Sequence, residues 1–574
     1  MVAASLTLIL ILVVTTVSAG RHYKDGDPVL VYVNKIGPFS NPIESYRYFD
    51  LPFCSSGLAS KEKETLSQVL DGGRFVVGPF KLNFGVDLKS EMLCKKRMKR
   101  DDLAKFRNAI EKTYLFEMYL DGLPFWGFIG YKDQIGSSSS KFILFNNLNF
   151  MISYDTDHRI CSVNLTSSGF VDISDDKEME VEFLYSVKWK ETSIPFERRM
   201  DVFISLDTQS NWFLTKSSSY FVIVVAGLLA SMLIWLLHNG LAKYAINDDL
   251  ITDQEETGWK NIHGDVFRYP RHKSLLAASL GSGTRLLFVF ISLLIIGFLG
   301  VFPPFNQGNF ATALIVIYAL ASFLAGYIST SFYCQLEGAN WVKNLILTEF
   351  LFSGPLFLMF CFLITIASMH NANAAMSLST IFVLLCIWIL LGSPLLVLGG
   401  IAGKTRNIGF DAPCKTTKCP REIPLLPWYK GIILKMFIAG VLPFSMISIQ
   451  LHYILSSLWG YRVYTIFSAL SIVFALLLLV TGLVTITLTY FQLSSEHYKW
   501  WWSSFFYGGS IGLFIYGYCF YYYAQSDMSS FMQKSFFFGY MACLCYGVFL
   551  TLGTIGFFTS MLFVRHIYGS IKCE

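Results

Sequence analysis

Long apolar stretches dominate the second part of the chain, after a polar and mixed region that ends near residue 219. Each stretch is close to the roughly 20 residues that a helix needs to cross about 30 Å of hydrocarbon. The pattern predicts an α-helical polytopic membrane protein with nine transmembrane helices, at 220–238, 285–302, 309–329, 346–368, 375–401, 431–456, 464–490, 503–524 and 535–564.

The first 20 residues have the pattern of a signal peptide. An apolar run from Leu6 to Val17 is followed by the small residues Ser18, Ala19 and Gly20, as at a cleavage site. No Lys or Arg precedes the apolar run, so an uncleaved membrane anchor stays open as the alternative. Cleavage would place residues 21–219 in the lumen.

Residues 21–219 alternate between apolar and polar side chains, which is typical of β-strands. Val181–Trp189 is the clearest strand, and Phe142–Tyr154 is interpreted as two strands with a turn near Asn146-Asn147. Asp101-Asp102 begins a short amphipathic helix. The region is therefore predicted to be a mostly antiparallel, sandwich-like β domain.

The predicted organisation has six parts. They are a signal peptide (1–20), a lumenal β-rich domain (21–219), the first transmembrane helix (220–238), a cytosolic loop (239–284), a bundle of helices two to nine (285–564) and a cytosolic tail (565–574).

Basic residues between the apolar stretches indicate the orientation. With a lumenal N-terminal domain, segments 239–284, 331–345, 402–430, 491–502 and 565–574 face the cytosol and carry fifteen Lys or Arg. The loops on the other side carry only Arg462 and Lys534. Basic residues accumulate on the cytosolic side, so the bias agrees with a lumenal domain and a cytosolic C-terminus.

Composition narrows the function classes. The chain is 53% hydrophobic and 15% charged, with a net charge of +5, too small to indicate a nucleic-acid partner. No nucleophile–base–acid set, metal-binding repeat or nucleotide fingerprint stands out. We therefore predict no enzyme activity, no cofactor and no metal site.

Three cysteines and one glycosylation sequon fall in the predicted lumenal domain. Cys54–Cys94 is the preferred disulfide, because disulfides persist in the lumen, and Cys161 is left over. Asn164 heads the sequon Asn164-Leu165-Thr166.

Polar residues inside apolar stretches are candidates for function. Glu349 lies close to the cytosolic end of its stretch and could reach the interface, whereas Gln450 and His452 lie deeper. The last two either line a cavity or form interhelical hydrogen bonds. Pro355, Pro394 and Pro443 are expected to interrupt helices, Gly399 and Gly403 to allow close helix contact, and Trp500-Trp501-Trp502 to form an aromatic anchor at the membrane interface.

Eight motifs follow one another along the chain, at Tyr46–Cys54, Leu123–Phe128, Glu255–Lys260, His263–Arg268, Ser331–Leu336, Ser393–Leu395, Tyr490–Leu493 and Trp500–Trp502. With these motifs the chain resembles the nonaspanins, the transmembrane 9 superfamily, also called the endomembrane protein 70 family, and it is most similar to the plant members. The resemblance implies a lumenal β domain on nine helices, residence in Golgi and endosomal membranes, and a role in sorting other membrane proteins.

The last twelve residues resemble the family's sorting signals. Lys572-Cys573-Glu574 is similar to its Golgi-retention signal, Lys-x-Asp/Glu, which implies contact with the COPI coat through charge-assisted bonds. Phe563-Val564-Arg565-His566-Ile567-Tyr568 is similar to its ER-export signal, which implies contact with COPII. The alternative is an ordinary solvated tail.

These features predict a Golgi and endosomal membrane protein that sorts client transmembrane proteins and is recycled by coat proteins. One alternative is a secondary transporter or channel that uses the proline-containing spans with Gln450 and His452. The other is a lumenal ligand receptor or adhesion protein that uses residues 21–219.

Overall fold

The computed structural model describes most of the chain. The described residues are 21–39, 44–55, 75–135, 139–175, 177–196, 199, 220, 223–235, 238–239, 258–299, 307–370, 372, 378–406, 409–410, 412–414, 416–424, 427, 431–459, 466–526, 528 and 530–569. The predicted signal peptide and the residues Lys572, Cys573 and Glu574 lie outside this set.

The N-terminal part is a β domain with one helix, as the sequence predicts. The strands are β1 (Pro28–Val29), β2 (Val31–Pro38), β3 (Tyr46–Arg47), β4 (Val76–Val77), β5 (Leu82–Asn83), β6 (Leu88–Met98), β7 (Tyr114–Leu120), β8 (Leu123–Phe128), β9 (Gly130–Ile135), β10 (Ser139–Tyr154), β11 (Ile160–Asp172) and β12 (Met179–Glu191), and the helix is α1 (Arg100–Glu111).

Two five-stranded sheets enclose the core of this domain. One has the order β11-β10-β12-β6 with β9 on β10, and the other has the order β3-β2-β7-β8 with β4 on β2. The pairs are antiparallel except β10 with β12, which is parallel. Inward side chains of both sheets and the apolar face of α1 form one hydrophobic core.

Strand β12 follows the predicted alternation, whereas β10 corrects a prediction. Val181, Phe183 and Trp189 all point into the core from β12. The predicted turn at Asn146-Asn147 is wrong, because β10 runs without a break and Asn147 pairs with Ser168 of β11. Pairing with β11 on one side and with β12 on the other keeps the strand extended at Asn147.

The C-terminal part is helical. Its helices are α2 (Ile223–Trp235), α3 (Lys273–Phe298), α4 (Gln307–Leu320), α5 (Ser322–Gln335), α6 (Trp341–Met369), α7 (Leu378–Ile387), α8 (Ser393–Thr405), α9 (Ile432–Trp459), α10 (Ile466–Ser494), α11 (Trp500–Gln525) and α12 (Phe531–Gly569). A π-helical turn, Trp388–Gly392, joins α7 to α8.

Seven spans in the described part are long and apolar enough to cross a membrane: α3, α4 with α5, α6, α7 with α8, α9, α10 and α12. Helix α11 is 26 residues long, and α2 is a shorter apolar helix. The protein is thus a polytopic membrane protein, and the number of nine crossings stays a prediction.

Three sequence expectations about the helices change. Helices α6 and α9 continue through Pro355 and Pro443, so these prolines do not interrupt them. Only Pro394 adjoins irregular backbone, directly after the π turn. Trp500 and Trp501 are buried inside the protein rather than anchored at a membrane interface.

Candidate functional site

The most polar centre of the bundle is an ion pair between two helices. The guanidinium Nη1 of Arg285, near the middle of α3, lies 3.1 Å from the carboxylate Oε2 of Glu349 in α6. The two side chains are only 3% and 6% exposed. Glu349 is therefore paired inside the bundle and does not reach the interface, contrary to the expectation from its position in the sequence.

The other polar atoms of the pair are also satisfied. Arg285 donates to the Ser322 hydroxyl at 2.7 Å and to the Tyr318 carbonyl at 3.2 Å, and its guanidinium lies 3.6 Å from the centre of the Tyr318 ring. The indole N–H of Trp388 donates to the second carboxylate oxygen of Glu349. A π turn in a membrane helix is frequently found at a functional position, and here it carries the tryptophan that completes the cluster.

A separate chain of hydrogen bonds begins at Thr348, the residue before Glu349, and runs toward the start of α3. Ser282 donates to the Thr348 carbonyl at 2.9 Å, and the hydroxyls of Thr348 and Ser329 are 2.7 Å apart. Asn344 then links Ser329 to Ser274, over 2.7 and 3.1 Å. Polar side chains of α3, α5 and α6 therefore form a buried track along one side of the bundle.

The other intramembrane candidates lie on α9 and point in different directions. Gln450 is buried, whereas His452 is exposed. His452 contacts α11, with Nδ1 3.3 Å from the Tyr518 hydroxyl. Residues two apart on a helix do not share a face, so the structure does not combine Gln450 and His452 into one polar site.

Folded loops cover the end of the bundle at which α3 begins. We call the described residues within 258–271, 409–424 and 495–499 the cap. Trp500 donates to the Val266 carbonyl and Trp502 to the Arg271 carbonyl, both at 2.9 Å. The tryptophan run therefore fixes the first cap segment to the bundle.

Two carboxylates connect the cap segments. Asp265 accepts hydrogen bonds from Arg268, at 2.6 Å, and from the Thr417 hydroxyl, at 3.1 Å. Glu496 accepts from the backbone N–H of Gly258 at 3.0 Å and lies 3.8 Å from the guanidinium of Arg421. The three segments thus form one hydrogen-bonded unit.

One titratable group of the cap has a shifted pKa. Burial lowers the pKa of the His497 imidazole below its ordinary value of 6.5, and the positive charges of Lys435 and Lys499 act in the same direction. The Nδ1 atom of His497 lies 2.9 Å from the side-chain nitrogen of Gln492. The imidazole is therefore held neutral at pH 7.

The C-terminal residues of α12 pack into the cap. Helix α12 continues to Gly569, so the six-residue segment that resembles an ER-export signal is helical. Val564, Ile567 and Tyr568 are buried, whereas His566 is exposed. The Tyr568 hydroxyl donates to the Trp259 carbonyl at 2.7 Å.

The remaining sequence candidates lie in the β domain. Cys54 and Cys94 are joined in a disulfide between the segment after β3 and strand β6. Cys161 is a buried free cysteine. Asn164 is exposed on β11, opposite Met151 of β10, so its side chain is accessible for modification.

Comparison with known proteins identifies the family. The model of the endomembrane protein 70 family matches residues 45–531. Transmembrane 9 superfamily member 4 of Arabidopsis thaliana is 54% identical over 564 residues, which are 96% of this chain and 95% of that protein. The chain belongs to the endomembrane protein 70 family, the transmembrane 9 superfamily.

Other members of the superfamily are similar over nearly the whole chain. Member 3 of Arabidopsis thaliana is 54% identical over 97% of this chain and 96% of its own length. A Dictyostelium discoideum protein named putative phagocytic receptor 1b is 37% identical over 96% of both chains. The similarity of the motif sequences to plant members, which the sequence predicts, agrees with the high identity to the Arabidopsis relatives.

Sequence reasoning missed Arg285, Trp388 and the cap. Arg285 follows the polar run Gly281–Thr284, which the predicted cytosolic loop (239–284) includes, but α3 begins already at Lys273. The apolar residues Leu276, Leu280 and Leu287 fall on one face at a period of 3.6, and this pattern predicts a helix that begins before Arg285. Nothing in the local sequence signals that Trp388 reaches Glu349.

Proposed function

We propose that this protein is a multi-pass protein of Golgi and endosomal membranes that sorts and delivers other transmembrane proteins and is recycled by coat proteins. Its β domain faces the lumen and its cap faces the cytosol. The proposal is supported by family membership and by the fifteen-to-two bias of basic residues between the predicted sides. It includes no enzyme activity.

The spacing of charges in the last three residues carries the proposal. Lys572 offers an ammonium group, and Glu574 offers a carboxylate two residues later. A complementary groove of the COPI coat would bind both charges through charge-assisted hydrogen bonds. The preceding segment, Phe563–Tyr568, is proposed to contact COPII during export from the ER.

Clients are proposed to bind laterally between helices. An apolar recess of about 260 Å³ lies between α2 and α9. Leu228 and Met232 line it and are exposed on the outer surface of the bundle. Because the recess offers almost no polar groups, it suits an apolar membrane segment and not a soluble ligand.

The test of the proposed tail signal is the location of a tagged Lys572→Ala protein. We expect Lys572→Ala to leave the Golgi and accumulate in later compartments, because the coat loses the ammonium group it binds. Ser570→Ala is the matched control, since it changes the same tail but keeps both charges. A Lys572→Ala protein that retains the wild-type Golgi distribution would contradict the proposal.

A second candidate function is secondary transport, and the buried Arg285–Glu349 pair favours it. Ionisable residues at membrane depth frequently mark ion or proton pathways, and the polar track from Ser274 reaches Thr348, the residue before Glu349. Proton flux into proteoliposomes, followed with a pH-sensitive dye, separates the two functions. Flux carried by the wild-type protein would favour transport, whereas a sorting factor shows none.

A further inference from the structure

Five aromatic side chains lie together on the surface at one end of the β domain. Phe128, Tyr131 and Phe170 are exposed, and Phe170 most of all, at 68%. The ring of Phe145 lies 5.7 Å from that of Tyr131 and 5.9 Å from that of Phe170, and Phe39 lies 5.8 Å from Phe128. We call these five residues the aromatic patch. Contiguous apolar groups on a protein surface indicate an interaction site.

Paired strands hold the patch in shape. The N–H of Phe145 in β10 donates to the Ile129 carbonyl at 2.9 Å, and Ile129 lies between β8, which ends at Phe128, and β9, which carries Tyr131. Phe145 and Phe170 are direct partners across β10 and β11. Four of the five rings therefore project from sheet residues and keep fixed positions.

The patch is continuous with the contact between the β domain and the helical bundle. Tyr46 of β3 packs against the apolar cluster formed by the end of α6 and the start of α12. The Tyr46 ring stacks on the ring of Tyr114, with the centres 6.2 Å apart. The Tyr114 carbonyl accepts a hydrogen bond from the N–H of Ile129, and the Thr113 carbonyl accepts one from the N–H of Phe39. The aromatic patch thus begins next to the residues that contact the bundle.

The helix ends at this contact also indicate where the lipid surface lies. Helices α6 and α12 are both long and apolar enough to cross a membrane. Met369, the last residue of α6, is 79% exposed, and Phe531, the first residue of α12, is exposed too. Because a bilayer surrounds such helices, the surface nearest to the aromatic patch is a lipid surface.

We propose that the aromatic patch docks on the membrane beside α6 and α12, with its rings at the boundary between lipid headgroups and acyl chains. Aromatic side chains are enriched at this boundary. The rings of Phe128, Phe145 and Phe170 supply apolar surface, and Tyr131 adds a hydroxyl that can remain among the headgroups. The partner is therefore the bilayer itself, and this contact does not depend on what the protein sorts.

The charges around the patch favour an apolar contact over electrostatic attraction. Lys132, next to Tyr131, is paired with Glu111 at 3.1 Å. Lys141, on β10, lies 3.8 Å from the carboxylate of Asp172. These lysines are already compensated, so they offer little attraction for anionic headgroups. We therefore expect the patch to bind neutral phospholipid as well as acidic phospholipid.

Docking would fix the orientation of the β domain at two points. One is the contact of Tyr46 with the helices, and the other is the aromatic patch on the lipid. Asn164 lies six residues before Phe170 on β11, which places it about 20 Å away along the strand. The candidate glycosylation site therefore stays clear of the membrane when the patch is docked.

Photo-crosslinking of the full-length protein in phosphatidylcholine nanodiscs tests the proposal. The probe is a phosphatidylcholine with a diazirine in the upper part of one acyl chain, and mass spectrometry quantifies the labelled peptides. We expect peptides that contain Phe128 or Phe170 to be labelled about fivefold more than peptides that contain Val86, because the rings reach the interface. The double variant Phe128→Ser with Phe170→Ser should lower this labelling to the level of the Val86 peptides.

Val86→Ser is the matched control, since Val86 is an exposed apolar residue at the other end of the domain. The next residue, Asp87, accepts a hydrogen bond from the N–H of Trp189, which is paired with Ile152 of β10. Ile152 lies seven residues from Phe145, or about 23 Å along the strand. The control should leave the labelling of the patch unchanged. Melting temperatures of all variants show whether they fold, and Phe170→Ser alone serves if the double variant does not.

Three results would overturn the proposal. The first is lipid label confined to the helices of the wild-type protein. The second is equal labelling of wild type and of a folded patch variant. The third is a two-copy mass in the nanodisc with protein cross-links between two patches and no lipid label, which would assign the patch to a second copy of the chain. Replacing part of the phosphatidylcholine by phosphatidylserine should not change the labelling, and a severalfold rise would contradict an apolar contact.

Discussion

Arg285 carries its charge near the middle of a membrane helix, where an unpaired ion is expensive. Glu349 compensates the charge, and Ser322, Tyr318 and Trp388 satisfy the remaining polar atoms. A buried pair of this kind adds little net stability compared with apolar residues, but removing one partner leaves an uncompensated charge. The cluster should therefore respond asymmetrically to single and double substitutions.

Glu349→Gln is expected to destabilise the protein by about 3–5 kcal/mol, because it leaves the Arg285 guanidinium buried without a counter-charge. The double variant Arg285→Met with Glu349→Leu should recover most of this loss. The measurement is the apparent melting temperature of purified protein in detergent, supported by expression level. A double variant no more stable than Glu349→Gln would contradict the argument.

The matched control for this series is Glu422→Gln. Glu422 is exposed in the second cap segment, so neutralising it leaves no buried charge. Surface substitutions of this type change stability by about 0.5 kcal/mol or less. If Glu422→Gln were as unstable as Glu349→Gln, the loss of stability would follow from removing any carboxylate and not from breaking the buried pair.

The sequence points to Glu349 because a carboxylate within an apolar stretch is unusual. It does not identify Arg285 as the partner, since the two residues belong to different helices and come together only through packing of α3 against α6. The same limit applies to His497, whose shifted pKa results from burial in the cap. Residue chemistry was predictable here, whereas residue pairing was not.

At the scale of the elements, α5 and α8 approach each other closely. Gly399 and Gly403 lie one turn apart on α8 and face Phe323 and Tyr327 of α5. Small residues four positions apart allow membrane helices to approach closely. This contact was predictable, because the spacing of the glycines is itself the signal.

Gly399→Ala is expected to lower stability by about 1–3 kcal/mol, because the added methyl group would overlap the Phe323 carbonyl oxygen and force the two helices apart. The measurement is again the melting temperature in detergent. Gly517→Ala is the control, since no atom lies within 4 Å of the added group. Equal effects of the two substitutions would contradict close packing of α5 and α8.

Other elements were less predictable. The alternation of apolar and polar residues identified strand β12. The adjacent asparagines in β10 are typical of a turn, but pairing with the neighbouring strands prevents one. The tryptophans at the start of α11 are typical of an anchor at the membrane interface, but in the structure the cap covers them. In both cases a local pattern had two outcomes, and long-range contacts selected between them.

At the scale of the whole molecule, α12 runs from the β-domain side of the helical bundle to the cap. Its 39 residues correspond to about 58 Å, longer than the hydrocarbon core of a membrane. Near its start, Phe536 belongs to the apolar cluster against which Tyr46 of the β domain packs. Near its end, Tyr568 lies in the cap. One helix therefore extends from the apolar cluster beside the β domain to the cap.

This arrangement predicts that the β domain and the cap lie on opposite sides of the membrane. Wild-type protein should carry a glycan that endoglycosidase removes, and Asn164→Gln should lack it, because Asn164 is exposed on β11. In sealed ER-derived vesicles whose cytosolic face is outward, a membrane-impermeant maleimide should label Cys419, which is exposed in the cap. Loss of that label in Cys419→Ser is the control. A glycosylated protein whose Cys419 reacts only after the vesicles are opened would place both parts in the lumen, and an even number of crossings would then replace the predicted nine.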